Sequence, residues 1–240
     1  KLRKSFKTAF IQLMILYMVL PRKINFTQMG RYSDSSEQRF RQLFEREFDW
    51  MQFNLFLMRQ RFGESVRKAI AIDASYISKS GKKTPYIGKF WSGCASQVKR
   101  GLEILGIGIV DIDSRDCMML RAEQTPDKAY LEKQGEDYNL VDWYLDVLRK
   151  HKDKLLRITR YVVADAWFSK AKFVGEACLL GFHVISRLRD DAALWYAHDG
   201  VRTGKRGRPR IKGEKIDFEK LDLQRCEILD IEGGRAYSVK

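Results

Sequence analysis

Two aspartates, Asp73 and Asp165, stand in apolar stretches that otherwise have the composition of buried β-strands. Asp73 lies in AIAIDASY (69–76), and Asp165 lies in RYVVADA (160–166), near the end of the apolar run. Taken alone, Asp165 is explained as a turn or helix-capping residue, whereas Asp73 is unusual because strands are depleted in aspartate. Two carboxylates held rigidly on neighbouring strands supply the hard oxygen ligands that Mg²⁺ binds. As a pair, the two aspartates therefore predict a divalent metal site.

The elements that position the two aspartates follow from hydrophobic periodicity and from turn and capping residues. Three strands are expected first, then a helix, a strand, a helix capped by Ser169 and a last strand, over residues 69–76, 102–113, 117–125, 139–156, 160–166, 169–180 and 182–188. An antiparallel meander that leads into a parallel βαβ unit predicts an α/β fold, a mixed sheet covered by helices. If the first and fourth strands are neighbours, Asp73 and Asp165 face the same crevice.

The chain is predicted to have three parts, which are a helical domain, an α/β sheet domain and a basic, β-rich segment, over residues 1–68, 69–188 and 189–240. In the helical domain, segment 24–45 is predicted to form two short helices around a tight turn, with Arg39 and Arg41 on the second helix. This pattern favours a helix-turn-helix that binds DNA. An ordinary helical hairpin with solvated arginines explains the same pattern equally well.

The composition indicates a folded and strongly basic protein. Of 240 residues, 45% are hydrophobic, and 45 Lys and Arg against 31 Asp and Glu give a formal net charge of +14. Such an excess favours a polyanionic partner, most commonly nucleic acid, although a merely basic soluble protein is the alternative. The four cysteines are widely spaced, which argues against a zinc site and favours a reducing compartment. The longest apolar stretch (10–20) is about half of a bilayer span, so we expect a buried helix, no membrane association and a cytoplasmic location.

The two aspartate motifs and the order of elements between them resemble a known family. AIDASY with Asp73, VVADAWFSKAKFV with Asp165, and the meander, helix and strand between them are similar to the DDE transposases of the IS4-type insertion sequences. The helical stretch FTQMGRYSDSSEQRFRQLF is similar to the segment ahead of the catalytic core in these proteins. The resemblance covers nearly the whole chain, and it implies that residues 69–188 form a ribonuclease H-like catalytic core.

The resemblance also implies the reaction, the cofactor and the partners. Family members cleave DNA at transposon ends and transfer the exposed 3′ hydroxyl into target DNA, as dimers on paired DNA ends. The cofactor implied is a pair of Mg²⁺ ions about 4 Å apart, with Mn²⁺ as an alternative. By this resemblance Asp73 bridges both ions and Asp165 holds one. Junction resolvases and other ribonuclease H-like nucleases are the rival enzymes.

One feature of the family is missing from the sequence. Its third acid is a glutamate in a Tyr-Arg-Glu-Lys pattern on a late helix, and no such pattern occurs before Lys240. The late acids Glu219, Glu227 and Glu232 stand in strand-like or turn sequence instead. We therefore expect a chain that stops inside the β-rich insertion of this group. A catalytically inactive, DNA-binding remnant of a transposase is the alternative to an active enzyme.

Two basic stretches are candidate DNA contacts in the last two domains. In the stretch 78–93, Lys82, Lys83 and Lys89 are interleaved with aromatic residues near Asp73, which suits contacts to a DNA end through phosphates and base stacking. Phe90 and Trp91 alternatively pack under this connection.

The second stretch, KRGRPRIK (205–212), matches the core of an AT-hook. Lys205, Arg206, Arg208 and Arg210 are predicted to contact phosphates from a loop. Reading of an A·T-rich minor groove and a solvated loop without contacts are the alternatives.

Overall fold

The computed structural model describes residues 4–21, 23–62, 67–81, 83–189, 191–198, 200, 210–231 and 234–239. By its contacts the chain divides into two compact units, Lys1–Ser65 and Val66–Lys240. Within the described residues, no helix is both long enough and apolar enough to cross a bilayer. The bounds of the three predicted domains stay predictions.

The first unit consists of helices, and their bounds are α1 Lys4–Val19, α2 Phe26–Arg31, α3 Glu37–Phe44 and α4 Trp50–Phe62. Asn25 caps α2 by accepting a hydrogen bond from the Gln28 amide at 2.8 Å, and Ser36 caps α3 by accepting one from the Arg39 amide at 3.3 Å. Leu16, Leu20, Met29 and Phe40 form a buried core between α1 and the α2–α3 pair, which fixes how these three helices pack.

The apolar stretch 10–20 forms a helix as expected, but the expectation that this helix is buried is wrong. Ala9 and Leu16 are buried in α1, whereas Ile11 is 60% exposed and Met18 is 78% exposed. The physical reason is that α2 and α3 are short and contribute to a core along one side of α1 only.

The second unit is built on a mixed sheet, whose strands are β1 Lys68–Ser78, β2 Gly88–Ser92, β3 Gln97–Asp111, β4 Asp116–Gln124, β5 Tyr161–Ala164 and β6 His183–Ser186. The strand order is β2-β3-β1-β5-β6, with β4 also paired to β3. β3 is antiparallel to β1, β2 and β4, whereas β5 is parallel to β1 and to β6. In the order β4-β3-β1-β5-β6, the first and fourth predicted strands, β1 and β5, are neighbours, and the sheet is the mixed α/β sheet that the sequence predicted.

Alternation along the strands gives the sheet one buried and one open face. Ile70, Ile72, Ile107 and Val162 are fully or nearly fully buried, whereas their strand neighbours, such as Val163, are partly exposed. The helices that accompany the sheet are α5 Lys128–Gln134, α6 Leu140–Leu156 and α7 Ala171–Leu179. Leu145, Leu148 and Leu155 are buried on α6, which Asn139 and Asp142 begin with a capping box.

Two local predictions in this unit are wrong. Residues 77–101, expected as a connection, contain β2 and the first part of β3, because Gly88–Ser92 pairs with Gln97–Gly101 at the edge of the sheet. Ser169 does not cap the following helix. Its hydroxyl donates to the Ala166 carbonyl at 2.7 Å, and the helix begins after Lys170 without a side-chain cap.

The last part of the chain contains short antiparallel pairs, as its strand-like sequence indicated. Their bounds are β7 Trp195–Ala197, paired with β8 Lys212–Lys215, and β9 Cys226–Ile231, paired with β10 Gly234–Val239. The ammonium group of Lys212 lies 3.9 Å from the centre of the Trp195 ring, and the Arg225 guanidinium lies 4.9 Å from that of Tyr196. Cation–π contacts therefore tie basic residues of this segment to its aromatic residues.

Candidate active site

The parallel pairing of β1 and β5 brings the two aspartates to equivalent positions on neighbouring strands. The last paired positions are Ala71 with Val163 and Ile72 with Ala164, so Asp73 and Asp165 stand one step beyond them. Equivalent positions on paired strands lie about 4.8 Å apart and direct their side chains to the same face. Both aspartates are exposed, and both line one cleft with a volume of about 440 Å³.

Asp73 owes its accessibility to the residue opposite it. It pairs with Gly106 of β3, and directly opposed residues direct their side chains to the same face. A Cβ at Gly106 would meet Met119 Cε at 3.3 Å, and it would occupy the space beside Asp73. Ser75 donates its hydroxyl to Asp73 Oδ2 at 3.4 Å. Glycine at this position therefore leaves the Asp73 carboxylate open to the cleft.

Asp165 has a local structural role in addition to its place in the cleft. Its Oδ1 accepts a hydrogen bond from the Trp167 amide at 3.0 Å and caps the 3-10 helix Ala166–Phe168. The backbone carbonyl of Asp165 accepts a hydrogen bond from the Ser186 hydroxyl at 2.7 Å, which attaches this turn to the end of β6. The capping interpretation is thus confirmed, and the cap holds the carboxylate in a fixed orientation at the cleft.

The rest of the cleft wall comes from β2, β3, α6 and the turn after Asp165. The lining residues other than the two aspartates are Ala74, Lys89, Phe90, Trp91, Glu103, Leu140, Tyr144, Trp167 and Phe168. Phe90 packs inward and is 8% exposed, whereas its neighbour Trp91 is 59% exposed. The cleft thus combines acidic, basic and aromatic groups at the carboxyl ends of the parallel strands.

A buried hydrogen bond between Tyr144 and Glu103 forms part of the cleft wall. The Tyr144 hydroxyl donates to Glu103 Oε1 at 2.6 Å. Burial and the negative charge of Glu103 raise the pKa of Tyr144 well above its usual range, so the hydroxyl keeps its proton. The Tyr144 ring packs against Trp167 and Phe168, with centroids at 5.4 and 5.3 Å. Tyr144 therefore connects β3 to the turn that carries Asp165.

A basic side chain, Lys170, packs against the turn that follows Asp165. The Lys170 ammonium lies 3.4 Å from the centre of the Trp167 ring. Partial burial, with a smaller contribution from nearby Arg189, lowers the pKa of Lys170. Arg189 itself forms an ion pair with Asp191 at 2.7 Å.

Sequence reasoning missed Glu103, Tyr144 and Lys170. Glu103 had a signal of the same kind as Asp73, because it is an acid inside the apolar strand LEILGIGIV.

The structure brings one of the predicted DNA-binding residues into the cleft. Lys89 is exposed on β2 and lines the cleft beside the aspartates. Lys83 is exposed in the loop before β2, and Arg210 is exposed with its Nε donating to the Lys212 carbonyl at 3.0 Å. Four further candidates lie outside the described residues, and they are Lys82, Lys205, Arg206 and Arg208.

The two predicted arginines of α3 differ in their surroundings. Arg41 forms an ion pair with Glu37, and its guanidinium lies 5.0 Å from the centre of the Phe26 ring. Arg39 is exposed and lines a shallow pocket with Ser5 and Arg46. Within the part of the chain that the structure describes, Arg39 forms no ion pair.

The donor set of the cleft suits a hard divalent cation. Mg²⁺ is commonly bound by one or two carboxylates together with waters and substrate phosphates, and Asp73 and Asp165 match that description. Over the described ranges, no group of three or more His, Cys, Asp or Glu side chains is placed to hold a metal ion. Among the described residues, Asp73 and Asp165 are therefore the candidate ligands for such an ion.

Comparisons with known proteins identify the family of this chain. A family model described as DDE superfamily endonuclease matches residues 13–229. A chain from a crystal structure of a pre-cleavage Mos1 transpososome is similar at 10% identity and a TM-score of 0.18, over 74% of this chain and 58% of that one. Among curated proteins, none matches. Because the family model spans most of the sequence, the chain belongs to the DDE superfamily of endonucleases.

Proposed function

We propose that this protein is a DNA transposase that cleaves transposon ends and transfers the 3′ hydroxyl into target DNA, with Asp73 and Asp165 as its metal ligands. Membership of the family supports a transposase-like nuclease, and endonucleases of this superfamily generally use divalent metals. The observation that carries the finer proposal is the register of β1 and β5, which aligns two exposed acids in one cleft. The assignment to the IS4-type group stays a prediction.

In this proposal the protein's own groups orient the reacting phosphodiester. Asp73 and Asp165 would hold divalent ions, and such ions, when bound, would supply charge stabilisation to the attacking and leaving oxygens of the phosphodiester. Asp73 holds its carboxylate on a rigid strand, and Asp165 is held by its cap to the Trp167 amide. Lys89 lines the cleft with the two aspartates, and Lys170 packs against the turn that follows Asp165. Both lysines would neutralise phosphates of the bound strand.

The partners proposed are double-stranded DNA at the transposon ends and target, and a second copy of this chain on the paired ends. The formal net charge of +14 supports the DNA contact. The residues that we propose for it are Arg39, Arg41, Lys82, Lys83, Lys89, Lys205, Arg206, Arg208 and Arg210.

The test is Mg²⁺-dependent nicking of a DNA end by the wild-type chain and by Asp73→Asn. Asparagine keeps the size of the side chain and removes its charge, so nicking should fall by at least about 100-fold, since metal ions supply several kcal/mol to such reactions. DNA affinity, measured by fluorescence anisotropy, should change little. Asp153→Asn, at an exposed position on α6 outside the cleft, is the matched control and should nick normally. Equal nicking by Asp73→Asn would refute the metal role.

A second candidate function is that of an inactive, DNA-binding remnant of a transposase. The observation that favours it is that no third His, Cys, Asp or Glu joins the two aspartates in a metal-holding group among the described residues. This candidate predicts DNA binding by the wild-type chain without nicking at any Mg²⁺ or Mn²⁺ concentration. Joined products of donor and target DNA would instead separate a transposase from other ribonuclease H-like nucleases.

A further inference from the structure

We propose that Glu103 strengthens divalent-metal binding at the Asp73–Asp165 pair without being a ligand, and that Tyr144 positions Glu103 for this role. The proposal rests on the function proposed above, because it assumes that the two aspartates bind metal. It adds a positioning residue whose contribution is the electrostatic field of a buried carboxylate.

Glu103 lies on the strand next to Asp73 and lines the cleft that holds the two aspartates. Glu103 pairs with Tyr76 across β1 and β3, whereas Asp73 pairs with Gly106. The acid therefore lies one strand away from Asp73 and three positions along, so its side chain leaves the strand on the opposite face, although both acids line the same cleft. In the described part of the chain, these acids do not form a three-residue metal group. Any effect of Glu103 on a bound ion must therefore act through space.

The surroundings of Glu103 leave its negative charge uncompensated by the protein. The residue is 7% exposed, and among the described residues its carboxylate accepts a hydrogen bond from one side chain, the neutral hydroxyl of Tyr144, at 2.6 Å. Among the described residues, no Lys, Arg or His forms an ion pair with it. Buried charges are normally paired or bound to metal, because leaving water is costly for them. A cation at the neighbouring aspartates would supply the missing compensation.

Low polarity around Glu103 extends the range of this attraction. Charges interact more strongly across a poorly solvated interior than through water. Asp73 lies close enough to Tyr144 for its charge to contribute, after burial and Glu103, to the raised pKa of Tyr144. Glu103 and Asp73 therefore act on the same region of the cleft, and a divalent cation there experiences both charges.

Tyr144 fixes Glu103 relative to the turn of Asp165. Its hydroxyl holds one carboxylate oxygen of Glu103, and its ring packs against Trp167 and Phe168. Groups that hydrogen-bond the ligands of a metal typically change its affinity by about 10- to 100-fold when they are altered, and this range sets the scale of the effect expected from the charge of Glu103.

The experiment is a Mn²⁺ titration of the full chain without DNA, read by electron paramagnetic resonance of the free ion. Glu103→Gln keeps the shape and the acceptor for Tyr144 but removes the charge, and it should weaken Mn²⁺ binding by about 10- to 100-fold. Glu123→Gln is the matched control, because Glu123 is another largely buried glutamate of the same sheet that does not line the cleft. Its Mn²⁺ affinity should stay within about twofold of wild type, a change much smaller than altered metal-site neighbours give.

A conservative variant guards against loss of folding. Glu103→Asp keeps the charge, so it should bind Mn²⁺ within about threefold of wild type even if Glu103→Gln is unstable. Circular dichroism melts establish which variants are folded. A loss of affinity in Glu103→Asp as large as that of Asp73→Asn would overturn the inference.

The remaining outcomes separate this inference from the proposed function. If Asp73→Asn loses Mn²⁺ binding while Glu103→Gln binds like wild type, the inference is wrong and the proposed metal site stands. If the wild-type chain shows no Mn²⁺ binding that depends on Asp73, the proposed metal site is wrong and the inference with it. Equal weakening by Glu103→Gln and Glu123→Gln would assign the effect to general destabilisation and would also overturn the inference.

Discussion

Glu103 on β3 and Glu123 on β4 are both largely buried acids on neighbouring strands, but their surroundings differ. Oε1 of Glu123 lies 3.0 Å from Arg121 Nε and 3.1 Å from both Lys150 Nζ and His151 Nε2. Glu103 has the Tyr144 hydroxyl instead. The Glu123 cluster joins β4 to α6 and is neutralised within the protein. Among the described residues, Asp73, Asp165 and Glu103 form no ion pair, although Lys89 lines the same cleft. Acids without such a partner are expected where the compensating charge comes from a ligand.

The largest effect on nicking is expected for Asp165→Asn, a substitution that removes the charge of the side chain but keeps its capping hydrogen bond. Asn is as good a capping residue as Asp, so Asp165→Asn should keep the hydrogen bond to the Trp167 amide and the local fold. Removing the charge should reduce Mg²⁺-dependent nicking by at least about 100-fold. Nicking rates and thermal melts of the same preparation measure the two effects.

The proposed role of Asp165 would be contradicted if Asp165→Asn were less stable than wild type but nicked DNA at the same rate. In that case the aspartate would be a turn residue only, as its sequence position alone indicated. Asp191→Asn, which removes the exposed partner of Arg189, is the control and should leave both measurements nearly unchanged.

Helices and strands could be predicted from the sequence where their hydrophobic pattern and capping residues lie within the element itself. Leu140–Leu156 has a clear apolar stripe and a cap at Asn139, and the alignment of Asp73 with Asp165 followed once strands one and four were neighbours. β2 was not predicted because Gly88, Lys89 and Ser92 are poor strand formers. Their strand exists through pairing with the long edge of β3, which is a tertiary effect.

The part of the cleft that escaped prediction depends on contacts between distant residues. Tyr144 belongs to the apolar stripe of α6 by its spacing, and nothing nearby in the chain indicates a hydrogen bond to Glu103. Glu103 in LEILGIGIV is a usable signal, because it stands in the same kind of apolar strand as Asp73. Its hydrogen bond to Tyr144 can be identified only from the folded structure.

A smaller effect is expected at Glu123, and it should depend on pH. Although burial opposes the change, hydrogen bonds from His151, Arg121 and Lys150 lower the pKa of Glu123 from its ordinary 4.5 to about 2. Because the folded pKa is depressed, this carboxylate stabilises the fold fully above about pH 4.5, and the contribution is lost as pH falls through about 2. Glu123→Gln should therefore reduce the free energy of unfolding by about 2 kcal/mol at pH 7.

Urea unfolding of wild type and Glu123→Gln at a series of pH values measures this difference. The gap between the two proteins should close towards pH 2. A gap that stays constant with pH would show that the cluster acts by packing rather than by charge, and the contrast with Glu103 would lose its basis.

The smallest effect extends the comparison to the arginines of α3, where one charge is paired and the other is not. Arg41 is held by Glu37 and lies over Phe26, whereas Arg39 forms no ion pair among the described residues. An unpaired exposed arginine can neutralise a phosphate without breaking an existing contact. If this helix contacts DNA, Arg39→Ala should lower the slope of log affinity against log salt concentration by about 1, across all DNA sequences.

Arg41→Ala should change the slope less and should mainly reduce stability slightly, because it removes an exposed helical ion pair with Glu37. Fluorescence anisotropy over a range of salt concentrations measures both variants. Equal slopes for wild type and Arg39→Ala would remove α3 from the DNA contact. A larger slope change for Arg41→Ala than for Arg39→Ala would mean that the ion pair between Arg41 and Glu37 opens when DNA binds. An ion pair within the protein would then not show that an arginine has only a structural role.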